Sequence, residues 1–192
     1  MPVGIGVAAS TFTNPIGLMS DCHRRIERFL KVLLIVTQEA EGKPLSPEQR
    51  SGLAAALKYF REAAPRHTAD EEEDLFPALR RSAQPGVSQI LERVQRLETD
   101  HKMAAEWHAE VDEAGERWLS QNHLPAEEVS RLKDALLALS TLYQAHIEVE
   151  DREIFPLAQQ ELTKSEKEAM GRRMASRRGV PFLPAFEIPT NE

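Results

Sequence analysis

Two stretches of this chain carry the same pattern of potential metal donors. His67-Thr68-Ala69-Asp70-Glu71 continues through Asp74 to Leu75-Phe76-Pro77, and His146-Ile147-Glu148-Val149-Glu150 continues through Glu153 to Ile154-Phe155-Pro156. The two histidines stand 79 residues apart in sequence. On a helix, residues four apart share a face about 6 Å along the axis. Each His-x-x-x-Glu can therefore turn an imidazole and a carboxylate toward one ion.

Two lone histidines complete a larger repeat. His23 and His101 lie 78 residues apart, each shortly after an Asp (Asp21, Asp100), and precede the paired motifs by 44 and 45 residues. Two similar helical hairpins about a pseudo-two-fold axis would bring His23, His67, Glu71, His101, His146 and Glu150 to one level of a bundle interior. Buried imidazoles and carboxylates are costly unless paired or bound to metal. Four His and two Glu form an N/O donor set that suits iron or manganese, with zinc also possible. If Glu71 and Glu150 both bridge two ions and each ion takes two His, about four of six octahedral positions are filled. The open positions would take an oxo or hydroxo bridge and a small ligand such as dioxygen, nitric oxide or peroxide.

Helices must position these groups. Ala, Leu, Glu, Arg and Gln are abundant and no alternating β-branched run occurs, so the expected class is all-α. Ile26, Phe29, Leu30, Leu33 and Leu34 form the apolar stripe of a first helix over about 16–40, stopped by Gly42-Lys43-Pro44. Ser46-Pro47-Glu48-Gln49 is a capping-box start for a second helix running to about Arg81, with a kink at Pro65. Gln84-Pro85-Gly86 turns into a third helix over about 87–120, and Pro125-Ala126-Glu127-Glu128 opens a fourth that runs to about Gln160. Thr163 or Ser165 caps a short fifth helix ending near Gly179, before a Pro-containing tail. The expected architecture is an up-down-up-down antiparallel four-helix bundle over residues 15–160, with an irregular arm at 1–14 and a short helix and tail at 161–192.

Bulk properties narrow the function classes. A chain of 192 residues suits one domain with a substantial core. A net charge of −7 gives no positive excess for nucleic acid or an anionic membrane surface. The single Cys22 excludes an internal disulfide or a Cys-rich metal site made by this chain alone. With no signal-like start and no membrane-length apolar run, the expected location is the cytoplasm.

The doubled motif resembles the hemerythrin-like, HHE cation-binding domains over about residues 15–160. Those bundles hold a non-haem di-iron centre through a His on one helix and His-x-x-x-Glu, followed by Leu-Phe-Pro, on the next. The resemblance implies that His23, His67, Glu71, His101, His146 and Glu150 are the ligands of two iron ions. Oxygen-carrying members have a fifth His four residues after the third-helix ligand, where this chain has Ala105. The set is closer to that of four-His, two-Glu members linked to iron–sulfur repair, nitric oxide response, or iron and oxygen sensing. This chain lacks the paired-Cys N-terminal segment that such repair proteins often carry.

Asp74 and Glu153, seven residues after the motif histidines, are candidates to orient imidazoles or to ligate. Glu27, four after His23, mimics the motif. Tyr143, one turn before His146, is a candidate to line the pocket or pack. His108 lies two turns beyond His101, Cys22 reads as a small buried residue, Trp107 and Trp118 as packing residues and His123 as a loop residue. Three functions fit: a di-iron protein that binds or reacts with a small oxidant, a di-iron oxidase or peroxidase, or a metal-free helical interaction module using the tail from Phe182 to Phe186. A redox or protein partner is a further expectation.

Overall fold

The computed structural model describes residues 11–82 and 90–183, and its regular elements are all helical. The first ten residues, the Gln84-Pro85-Gly86 turn, the expected third-helix start at Val87 and the tail from Pro184 through Phe186 lie outside the described residues.

Helix α1 spans Pro15–Ala40, with the Asn14 side chain accepting the Gly17 N–H at its start. It ends where Glu41 adopts a left-handed conformation, followed by Gly42 at φ +78°. A Cβ on Gly42 would stand 2.2 Å from the Leu124 carbonyl oxygen, so only glycine fits this close approach. Through that contact the Leu124 N–H donates to the Gly42 carbonyl at 2.8 Å, and the turns of the two hairpins meet at one end of the bundle. Trp118, fully buried, donates its indole N–H to the Lys43 carbonyl at 3.0 Å in the same junction.

Helix α2, Pro47–Glu62, begins with the full Ser46/Gln49 capping box. The chain turns at Ala63, and α3, Ala64–Ala69, carries Pro65 in its first turn and His67 on its buried side. Helices α5, Leu91–Gln121, and α6, Ala126–Val149, form the second hairpin. Pro125 sits at the N-cap of α6 rather than at its first helical position. Helix α1 packs on α2 and α6, and α5 packs on α2 and α6, closing a four-helix ring. Helix α8, Lys164–Arg177, opens on a Thr163/Glu166 capping box and lies across α1.

The two motif helices are not continuous α-helices as the sequence predicts. Each widens into a π-helical turn, Asp70–Leu75 and Glu150–Ile154, before resuming as α4, Phe76–Arg81, and α7, Phe155–Glu161. Proline has no N–H, and its ring collides with the carbonyl four residues back. Just before each proline, the Phe76 N–H reaches the Glu71 carbonyl and the Phe155 N–H reaches the Glu150 carbonyl, the five-residue bond of a π turn. The wider turn accommodates Pro77 and Pro156 without ending the rod.

The core divides in two. One apolar cluster includes Ile26, Leu57, Trp118 and Leu139, and the other Met19, Phe76, Leu97 and Phe155. On α1 the buried face runs Met19, His23, Ile26, and on α5 it runs Leu97, His101, Ala104. The histidines thus form a polar layer between two apolar clusters that fix its walls.

Candidate metal centre

Six donors from four helical segments meet in that layer. His23, His67, Glu71 and Glu150 offer one ligand atom each within 4.8 Å of one another, and Glu71, His101, His146 and Glu150 form a second such group. Both groups contain both glutamates. Glu71 and Glu150 have no exposed surface, and the four histidines are at most 9% exposed.

The imidazoles face inward through Nε2. Glu71 Oε1 lies 3.2 Å from His67 Nε2 and 3.8 Å from His23 Nε2, while its Oε2 lies 3.4 Å from His101 Nε2. Glu150 Oε2 lies 3.0 Å from His23 Nε2 and 3.2 Å from His146 Nε2. Each carboxylate therefore spans both histidine pairs. Adjacent ligands at about 2.1 Å from one ion, at right angles, stand about 3 Å apart, and the observed separations are of that size. All four carboxylate oxygens and His23 Nε2 are buried without a hydrogen-bond partner. Buried polar atoms are ordinarily satisfied, so the donor set fits a pair of cations.

The outward nitrogens are held by acids. His101 Nδ1 donates to Glu72 at 2.9 Å, and His23 Nδ1 donates to Asp151 at 3.0 Å. Glu72 and Asp151 are the residues immediately after the two motif glutamates. His146 Nδ1 reaches Asp100 at 3.4 Å. Such bonds fix the tautomer and orientation of a metal-facing imidazole and strengthen it as a donor. The motif phenylalanines repeat the symmetry, with Phe155 stacked on His23 at 5.1 Å and Phe76 on His101 at 6.3 Å between ring centres.

In the metal-free cluster, burial opposes protonation of His23, but the surrounding carboxylates of Asp151, Glu150 and Glu71 outweigh burial and raise it to about 12. His101 is raised to about 9, against burial, by Glu71, Glu150 and Glu72. Burial pushes Glu71 up, yet His67, His101 and His23 bring it below the usual carboxylate range.

Several candidate residues lie elsewhere. Glu27 is exposed to solvent. Asp74 is buried but pairs with Arg173 and Arg177 of α8, and the Asp70 carboxylate with Arg177 and Arg178. Glu153 pairs with Arg93. None of the three touches a site imidazole, and the orienting acids are Glu72, Asp100 and Asp151. Tyr143 is buried, with its hydroxyl 3.0 Å from His108 Nε2, and His108 stacks on Phe60. His123 is exposed, and Cys22 is buried beside Arg25, whose guanidinium lies 3.0 Å from its sulfur. Ala105 lines a cavity of about 390 Å³ with Phe60, Ala64, Ala104, Tyr143 and His101. That cavity brings a largely apolar wall up to one of the six donors.

A family model described as the hemerythrin HHE cation binding domain matches residues 14–158. An uncharacterized protein of Haemophilus influenzae is 27% identical over 172 residues, which cover 89% of this chain and 94% of that protein. Among the described residues, no helix is long and apolar enough to cross a membrane.

Proposed function

The chain belongs to the hemerythrin HHE cation-binding domain family, and from that premise we propose that it holds two iron ions and uses them to bind or react with a small oxidant. Dioxygen, nitric oxide and peroxide are the candidates, in a sensing, stress-response or iron-homeostasis role. The observation that carries the reading is the division of Glu71 and Glu150 between two histidine pairs. Two carboxylates shared in this way serve a dinuclear centre. One pair of histidines would hold each ion: His23 with His67, and His101 with His146. Manganese and zinc suit the same donors chemically.

Held by these six residues, a pair of iron ions would supply one-electron redox chemistry to a ligand of this kind. The chain's own residues do the rest. Glu72, Asp100 and Asp151 orient three imidazoles and accept their Nδ1 protons. Phe76 and Phe155 cover the rings of His101 and His23. The cavity beside His101 gives a neutral small molecule an apolar approach. Ala105 adds no imidazole there, which supports reaction or sensing over reversible oxygen carriage. A metal-free interaction module would have to hold two fully buried carboxylates against protonated imidazoles alone, and burying such an ion cluster costs more than it returns unless the geometry is fully satisfied.

The test is anaerobic loading with ferrous iron followed by exposure, in separate samples, to dioxygen, nitric oxide and peroxide. New ligand-to-metal absorption bands in at least one sample, absent from a Glu71→Ala/Glu150→Ala variant, are expected. Unchanged spectra in all three samples would overturn the oxidant reading.

A further inference from the structure

The two halves of the site are related by the sequence repeat, and among the partners of the imidazole Nδ1 atoms the relation breaks at one position. His23 corresponds to His101, His67 to His146, Glu72 to Asp151 and Phe76 to Phe155. The hydrogen bonds follow the same correspondence: Glu72 accepts from His101, and Asp151 accepts from His23. Asp100, the residue before His101, accepts from His146. The residue before His23 is Cys22. His67 is the imidazole that an acid at position 22 would brace. Among the described residues no acid reaches its buried Nδ1, and the polar side chain that pairs with the ring is the Cys22 thiol.

We infer that Cys22 makes the two metal positions inequivalent, leaving the one held by His23 and His67 the more easily emptied. The inference rests on the dinuclear reading above and adds to it a residue that distinguishes the ions. A neutral imidazole whose Nδ1–H is held by a carboxylate is a stronger and better-oriented donor than one without that bond. The His101/His146 position has two such donors, and the His23/His67 position has one, His23. A thiol is a weak hydrogen-bond partner and does not replace the acid. Arg25 also reaches the Cys22 sulfur, at 3.0 Å. Cys22 acts here as a positioning residue through His67 and contacts no ion.

The experiment is Mössbauer spectroscopy of the full chain loaded anaerobically with ferrous iron-57, combined with the kinetics of iron removal by a chelator. Wild-type protein is expected to show two quadrupole doublets of equal area and to lose iron in a fast and a slow phase. Asp100→Cys gives both halves the same residue, so the doublets should converge and the slow phase should quicken by about tenfold or more. Cys22→Asp should slow the fast phase by a similar factor, whereas Cys22→Ala should leave two doublets. If the aspartate beside Arg25 prevents folding, Asp100→Cys carries the test alone. A single doublet in the wild type with two irons bound, or an unchanged pair of doublets in Asp100→Cys, would overturn this inference and leave the dinuclear reading standing. Failure to bind two irons would overturn both.

Discussion

Glu71 Oε1 stands 3.2 Å from His67, its partner one helical turn earlier, while Oε2 stands 3.4 Å from His101 on another helix. The side chain has no exposed surface, so each oxygen is committed to a different half of the site. Removing Glu71 and removing a histidine should then have different consequences. Glu71→Ala takes a donor from both positions and should reduce bound metal toward zero. His67→Ala takes a donor from one, and should leave about one ion per chain by metal analysis after desalting. Equal losses in the two variants would contradict the bridging role.

Orientation of the imidazoles should matter nearly as much as their presence. Asp151→Asn and Glu72→Gln keep the shape of the carboxylates that accept from His23 and His101 at 3.0 and 2.9 Å but remove their charge. Each should weaken metal binding by about 10- to 100-fold, measured by competition with a chromophoric chelator. Asp151 is also the first support of the protonated, buried His23, so Asp151→Asn should lower the melting temperature of the metal-free protein as well, and by more than Glu72→Gln, since Glu72 is the last of the supports of His101.

Protons and metal compete for the same nitrogens. In the metal-free cluster His23 is raised to about 12 and His101 to about 9, so both carry a proton at neutral pH and a cation must expel it. A raised histidine contributes stability that is fully present below its unfolded value and is lost as pH rises through the folded one. The metal-free protein should lose that stability from His101 as pH climbs through about 9, while metal affinity rises over the same interval. Calorimetric titrations in buffers of different ionisation enthalpy should show proton release on binding at pH 7. No release, or affinity independent of pH, would contradict these protonation states.

Helix α8 should be needed for stability. The Asp70 carboxylate, next to Glu71 and without exposed surface, is met by Arg177 and by Arg178, with Nη2 of Arg178 at 2.5 Å. Breaking a buried ion pair from one side leaves an uncompensated charge and costs about 3 kcal/mol or more. A double Arg177→Ala/Arg178→Ala variant should unfold in denaturant with a loss of that size. Arg152→Ala, which removes an exposed pair with Glu148, should cost less than about 1 kcal/mol.

The six donors were legible because they recur in register: one His-x-x-x-Glu describes many acidic helices, but two with matching upstream histidines fix a common level. The helix caps at Ser46 and Thr163 were legible from local chemistry and occur as expected. The surrounding acids differ from the sequence expectation for a geometric reason. Counting seven residues along an α-helix puts Asp74 near the site, but the π turn between Glu71 and Pro77 puts more residues in each turn and rotates Asp74 toward α8. Glu72 looks like part of a solvated acidic run, yet it reaches His101 from the outer side. Its signal lay in the repeat, since an acid follows the motif glutamate in both copies. Recognising Asp100 required the packing of α5 against α6 within the second hairpin, because its partner His146 is 46 residues away.

The most direct test of the dinuclear centre is the iron-to-protein ratio after anaerobic loading and desalting, compared between the wild type and the Glu71→Ala/Glu150→Ala variant. The shared glutamates of the two donor groups predict about two irons per chain in the wild type and fewer than one in the variant. One iron or none in the wild type, or two retained by the variant, would contradict it.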